Sequence, residues 1–327
     1  MSLRTLLIAL LAAVLFATGC GGDDDESAPA GDDFGETTEQ TATVAPEAPA
    51  EPKVKRIAVA GRPDAISAGA GFVFVTDSFA GSLQRINPRS LRVRGEPVAG
   101  FPIDVAAGEG AGWVAYPDTG TVQRVGPRRP SEVIEVDGFP FEIAAGEGGV
   151  WAMSQKSVER IDPGTSEPDG SPIRLSGSGA SIAAGEGWVW VARGNREVVR
   201  ISPDDGEISN TIAEVPNAFS VTTGESAAWA LGAPQPGTPG TVTRLDPDSG
   251  QISGEPVQVP DALDVAAGLG YLWVSSSDGN VRRFDPGGGV QIGDPIEVGP
   301  QPQAMAIGEG ALWVASAKGG AVYRVTP

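Results

Sequence analysis

The chain has 327 residues, 42 acids against 23 bases, one cysteine and no histidine, for a net charge of −19. A single Cys excludes any internal disulfide, and the lack of His excludes Ser-His-Asp or Cys-His nucleophile activation and His-ligated zinc. So acidic a surface also argues against nucleic acid as a partner.

At the N-terminus, Arg4 precedes an apolar run from Leu6 to Ala17 that is too short to span a bilayer, and Ala17, Thr18 and Gly19 lead directly into Cys20. This pattern predicts an export signal over residues 1–19. Small residues followed by Cys resemble the lipobox of bacterial lipoproteins, in which the Cys is acylated and becomes the mature N-terminus. Ala17 stands where that family most often has Leu. The resemblance implies lipidation at Cys20 and an extracytoplasmic protein anchored to the cell membrane; an ordinary cleaved signal with an unrelated Cys is the alternative. Residues 20–52 carry ten acids, Pro29, Pro46, Pro49 and Pro52, and no base. A stretch that repels itself and has little to bury predicts a disordered acidic linker. The remaining residues, 53–327, hold 32 acids and 22 bases.

From there a phrase built around one aromatic recurs seven times, at Phe74, Trp113, Trp151, Trp190, Trp229, Trp273 and Trp313. Steps of 38 to 44 residues match the period of a four-stranded propeller blade. Each unit opens on an apolar residue followed by small ones, as in Val105-Ala106-Ala107, which suits an innermost strand where seven backbones converge. Gly-Glu-Gly or a close relative follows and reads as a tight hairpin. After the aromatic strand comes a third strand ending in Arg, an apolar residue and usually a turn residue with Pro, as in ERIDP at 159–163. Gly-x-Pro runs such as GSPIRL at 170–175, GEPVQV at 254–259 and GDPIEV at 293–298, with a partial copy GEPVA at 95–99, place a Pro-bearing fourth strand at each outer edge.

These signals predict an all-β, seven-bladed β-propeller of four-stranded blades over residues 53–327. The chain ends just after a third strand, whereas residues 54–59 read as a fourth strand with no blade before them. Residues 54–59 are therefore expected to complete the blade formed by 303–326 and close the ring. The glycine-rich hairpin, the Trp-Val-Ala strand and the Arg-Ile-Asp-Pro turn resemble those of YVTN-type bacterial propellers and of NHL-like and streptogramin-lyase-like seven-bladed proteins. Virginiamycin B lyase, of the same look, depends on a histidine base. With no histidine in the chain, the resemblance carries that activity to no residue here.

Propellers place binding groups where inner strands begin. Asp104, Glu142 and Asp264 occupy equivalent positions there on blades 2, 3 and 6 and point toward the tunnel mouth. Two readings are open: oxygen ligands for a metal such as Ca²⁺, or acids that are solvated or cap backbone amides between blades. Ile103, Phe141, Phe219 and Leu263, one residue earlier, form either an apolar rim for a ligand or packing between blades. The segment 232–240 lengthens a hairpin of blade 5, as a binding loop or as tolerated slack. Glu109, Glu147, Glu186, Glu225 and Glu309 read as exposed hairpin charge. Arg85, Arg124, Arg160, Arg200, Arg244, Arg283 and Arg324 read as stacking and hydrogen bonding between adjacent blades.

The expected function is a non-enzymatic, lipid-anchored scaffold, monomeric, whose propeller binds a protein, peptide or glycan of the cell envelope. Two alternatives stand beside it: a divalent-cation-dependent hydrolase or lactonase using the tunnel-mouth carboxylates, and a structural part in envelope assembly.

Overall fold

Small residues along each inner strand let seven strands crowd around one axis, and the architecture follows from that crowding. The computed structural model describes residues 51–126, 131–193, 196–209, 213–233 and 238–327. The expected signal peptide, Cys20, the acidic linker up to residue 50 and residues 234–237 of the blade 5 loop lie outside the described residues. Ala48–Pro327 forms one compact unit, a seven-bladed β-propeller. Its inner strands are Ala65–Gly69, Asp104–Gly108, Glu142–Gly146, Gly179–Gly185, Ala218–Gly224, Ala262–Gly268 and Pro302–Gly308. Each pairs antiparallel with the aromatic strand, which pairs with the third strand and that with the outer one.

The ring closes as the sequence predicts. Lys53–Ala58 is the outer strand of blade 7, with Lys53 opposite Thr326 and Ala58 opposite Ala321, so its limits fall one residue earlier than expected. Outer strands are shorter than the Gly-x-Pro pattern suggests, because Pro has no N–H to give the ladder. In blade 3 the edge is split into Glu167–Pro168 and Ile173–Arg174, both on Ser157–Asp162. In blade 1 the outer strand Val93–Glu96 stops before Pro97 rather than continuing through the partial copy.

The apolar core lies between blades. Seven clusters each join two consecutive blades, for example Ile57, Trp313 and Val322 of blade 7 with Ile66, Val73 and Val75 of blade 1. Six register tryptophans sit in these slabs, and each indole N–H donates to the carbonyl of the glycine that ends its own inner strand, at 2.9–3.2 Å. A buried indole needs such an acceptor. The glycines that end the inner strands, Gly69 of blade 1 included, also meet the next blade. A Cβ on Gly308 would lie 2.1 Å from the Ala68 carbonyl oxygen, one on Gly69 2.6 Å from Ala107 O, and one on Gly224 2.6 Å from Ala267 O.

The hairpin after each inner strand is a two-residue turn with both φ angles positive, such as Glu109 at 49° and Gly110 at 78°. In blade 5 the second place is Ser226, held at φ 57° on an exposed turn. Two opposite outcomes follow for urea unfolding. Gly308→Ala loses about 2–4 kcal/mol because the clash is with backbone, whereas Gly95→Ala, with open space around it, changes stability by less than about 0.5 kcal/mol. Ser226→Gly gains about 0.5–1 kcal/mol by releasing the left-handed conformation.

Candidate functional site

All seven inner strands begin at one face, where their first residues surround a cavity of about 490 Å³. Asp64, Asp104, Glu142 and Asp264 line it together with Ser181 and Ser220, and none of its lining residues is basic. The acids are tied into the ring. Asp104 Oδ2 accepts the Ile143 N–H at 2.9 Å, and Asp264 Oδ2 accepts the Met305 N–H at 2.7 Å while Ser220 Oγ donates to its other oxygen at 3.3 Å. Glu142 accepts from the Ile182 N–H, and Ser181 Oγ accepts the Val221 N–H at 3.3 Å. Each acceptor therefore pins the first apolar residue of the following blade. Asp64 turns elsewhere and holds Thr76 and Ser78 of its own blade.

These bonds lower the carboxyl pKa, yet burial outweighs them. Burial pushes Asp264 up to about 7, against the pull of the Met305 and Val265 N–H groups and Ser220, with Asp104 adding a smaller repulsion. Asp104 rises to about 6, first through burial and in lesser part through Asp64. Glu142 stands well above the usual carboxylate range, from burial and then from the charges of Asp104 and Asp264. Each acid keeps part of its surface on the lumen, where water tempers the rise. Among the described residues, no group of three or more His, Cys, Asp or Glu is placed to hold a metal ion.

The four expected rim residues divide. Phe219 and Leu263 line the cavity, whereas Phe141 packs against the core between blades 3 and 4 and Ile103 is exposed at 39% outside the cavity. Register shifts at Ala218/Ser220 and Ala262/Asp264 explain the difference, since a bulge re-aims the extra side chain. Blades 2 and 3 keep a regular ladder there, with Ile103 N donating to Ala115 O and Phe141 N to Met153 O.

Three aromatics that sequence reasoning passed over stand on the same face. Phe79, Phe101 and Phe139 are 75%, 57% and 71% exposed. Their loops are pinned by carboxylates: Asp77 accepts the Phe79 and Ala80 N–H groups, Asp118 that of Phe101, and Glu159 that of Asp137. The Arg62 guanidinium lies 4.7 Å over the Phe79 ring. A signal for two of them was present in the repeated Gly-Phe-Pro at 100–102 and 138–140, where equivalent places in other blades hold Arg62, Asn217, Asp261 and Gln301.

Two repeated sets take structural roles that differ from the expected ones. Glu309, Glu147 and Glu225 are more than exposed charge, for each accepts the N–H of a glycine in the next blade's hairpin, Gly71, Gly187 and Gly270, at 2.8–3.0 Å. All seven register arginines stack, but on an aromatic of their own blade, from Arg200 over Trp188 at 4.1 Å to Arg244 over Trp229 at 5.9 Å. The stack is intrablade because each Arg stands opposite the register aromatic in the ladder, as Arg124 faces Trp113; in blades 1, 4 and 6 it stacks on the aromatic two residues before that one, Phe72, Trp188 and Tyr271. Arg200 also donates to the carbonyl oxygens of Pro247 and Asp248 in blade 5.

Fold and mouth together define a seven-bladed propeller with an acid-lined tunnel. The chain is similar in structure to a streptogramin B lyase, with a TM-score of 0.70, 14% identity and coverage of 84% of this chain and 97% of that one. It is similar to the virginiamycin B lyase of Staphylococcus aureus, with a TM-score of 0.70, 16% identity and coverage of 85% and 100%. The WD40 domain of Neurospora crassa Pan2 gives a TM-score of 0.66 at 12% identity over 81% and 89%. No protein-family model matches the chain, and no curated protein matches it in sequence. At these identities the likeness is one of fold.

The raised acids set a pH dependence. A carboxyl whose pKa is higher folded than unfolded binds its proton more tightly when folded, so its contribution falls as pH rises from about 4 to about 7. Urea unfolding is expected to show less stability at pH 8 than at pH 5. Asp264→Asn, which keeps an acceptor for the Met305 N–H, is expected to flatten that slope and gain on the order of 1 kcal/mol at pH 8 after allowance for lumen water. A parental slope of opposite sign refutes this.

Proposed function

We propose that the protein is an extracytoplasmic binding scaffold, held to the membrane by lipid on Cys20, whose tunnel-mouth face engages a protein, peptide or glycan partner. The observation that carries this reading is the row of exposed Phe79, Phe101 and Phe139 beside a mouth lined by four carboxylates. Exposed aromatics on pinned loops are the kind of rigid anchor that dominates recognition surfaces. The neighbouring acids favour a partner that brings a cationic group to the mouth and apolar surface to the rings.

Strand register supports the tether. Lys53 lies level with Thr326, at the hairpin end of blade 7, and Ala58 lies at the mouth end, level with Ala321 and Ser316. The chain therefore runs toward Cys20 from the face opposite the aromatics. A hydrolase reading asks for carboxylates free to hold a cation or activate water, and Asp104, Glu142 and Asp264 are occupied in pinning neighbouring blades.

Two measurements test the proposal. Cells fed labelled palmitate should label the parent chain and leave Cys20→Ala unlabelled; an unlabelled parent removes the anchor. Photo-crosslinking on intact cells should give discrete adducts that disappear when Phe79, Phe101 and Phe139 are all changed to Ser, substitutions on an exposed face that leave folding nearly unchanged. Adducts that persist in the triple variant place the partner elsewhere.

A further inference from the structure

We infer that the outer rim of blades 7 and 1 is a docking surface for anionic membrane lipid, an inference that rests on the proposed lipid tether. Charge is segregated along the chain. Residues 53–94 hold eight of the 22 bases of the folded part and two of its 32 acids, Asp64 and Asp77, both of which are bonded within the mouth-side loops. Blade 1 thus carries positive charge in a protein that is otherwise strongly acidic.

Four of the eight bases, Arg85, Arg89, Arg92 and Arg94, gather on the outer part of blade 1, whereas Arg62 stands on the mouth side over Phe79. Arg85, Arg92 and Arg94 line a cavity of about 300 Å³ with Phe72, Asn87 and Ser90. Arg85 lies 4.3 Å over the Phe72 ring and 2.9 Å from Glu96. Arg85 also stands directly opposite Arg94 in the ladder, a like-charge pair of which Glu96 offsets the Arg85 half. Arg89, Arg92 and Arg94 are exposed. On the adjoining blade, Lys53, Lys55 and Arg56 are exposed along the outer strand, whose Ile57 shares a core with Leu91 and Val93 of blade 1.

The blade 1 run and Lys53 lie toward the hairpin end, whereas Arg56 donates to the Gly319 carbonyl oxygen of the mouth-side loop. The turn from Asn87 to Arg92 joins Ile86 to Val93, level with Val73 beside the blade 1 hairpin, just as Lys53 is level with the blade 7 hairpin. This is where the chain leaves toward Cys20. A tether confines the patch near one surface at high effective concentration, which favours that surface over soluble anions. A basic patch on a chain that also carries a lipid anchor adds an electrostatic signal to the hydrophobic one. The acids of the linker are densest at Asp23–Glu26 in the sequence, next to Cys20.

The test uses residues 48–327, a closed ring with its own cores, and so is independent of the anchor. Vesicles of phosphatidylcholine with about one quarter phosphatidylglycerol should sediment the protein, pure phosphatidylcholine should not, and about 0.5 M salt should release it. Arg89→Glu/Arg92→Glu/Arg94→Glu should bind about 100-fold more weakly, whereas Lys156→Glu/Lys318→Glu, on the mouth side, should bind as the parent does. Failure to sediment with the anionic vesicles overturns the inference, as does equal binding by the two variants. Elution by 10 mM inorganic phosphate assigns the patch to a free anion instead, and loss of binding in residues 21–327 assigns it to the acidic linker; either result overturns the lipid assignment. Palmitate labelling at Cys20 reads the tether separately, so the two ideas fail in different assays.

Discussion

Seven inner strands meet around the tunnel at a spacing that leaves no room for a side chain where each strand ends, and the rest of the molecule is arranged around that contact. At the seam between the last and first blades, Gly308 touches the Ala68 backbone as closely as any internal pair of blades meets. The carbonyl of that glycine receives the indole of Trp313. One residue per blade thus couples the packing at the axis to the position of the largest buried side chain. With small residues recurring just before that glycine in most inner strands, bulk at the axis is limited and the large side chains lie outward in the seven interblade slabs.

Seven ties between blades share one direction, while Ser220 Oγ and Arg200 donate the opposite way, into the following blade. Ser67, Asp104, Ser181 and Asp264 at the mouth, and Glu147, Glu225 and Glu309 at the hairpins, all accept from an N–H of the following blade. Acids at the mouth are therefore parts of the ring first. Their carboxyls are placed where burial opposes ionisation, and the backbone bonds that hold them offset part of that opposition. This arrangement leaves a negative lumen whose walls are rigid, with apolar rings set beside it on loops that are themselves anchored by carboxylates.

Legibility differed between the repeat and its exceptions. A residue type present in every blade, such as the register aromatic or the Arg nine to fifteen residues after it, was readable as serving the blade, because seven copies can share only a structural task. What such residues touch was less readable. Arg124 and Trp113 are eleven residues apart in sequence, and only the ladder shows that they face each other rather than a neighbouring blade. The hairpin glutamates look solvent-facing in sequence because their partners, glycine N–H groups about forty residues on, carry no side-chain signal. Phe101 and Phe139 were visible as repeated Gly-Phe-Pro, but Phe79 lies in a different loop and joins them through the fold.

Period, small-residue strands and the orphan segment at 54–59 were enough to determine the blade number, the strand order and the closure, with the closing strand lying one residue earlier, because each is a local pattern repeated at fixed spacing. The same chain also determined, through its lack of histidine, which chemistries are closed to it. Tertiary structure decided which face each charge occupies. Bulges at Ala218/Ser220 and Ala262/Asp264 turned two apolar side chains into the lumen while equivalent ones stayed out, and hairpin direction put Arg89 and Arg92 of blade 1 on the side of Lys53 and the aromatics on the other. A one-residue change of register reverses the direction of a side chain without altering the pattern that sequence displays, so such choices are settled by the ladder and the packing of adjacent blades.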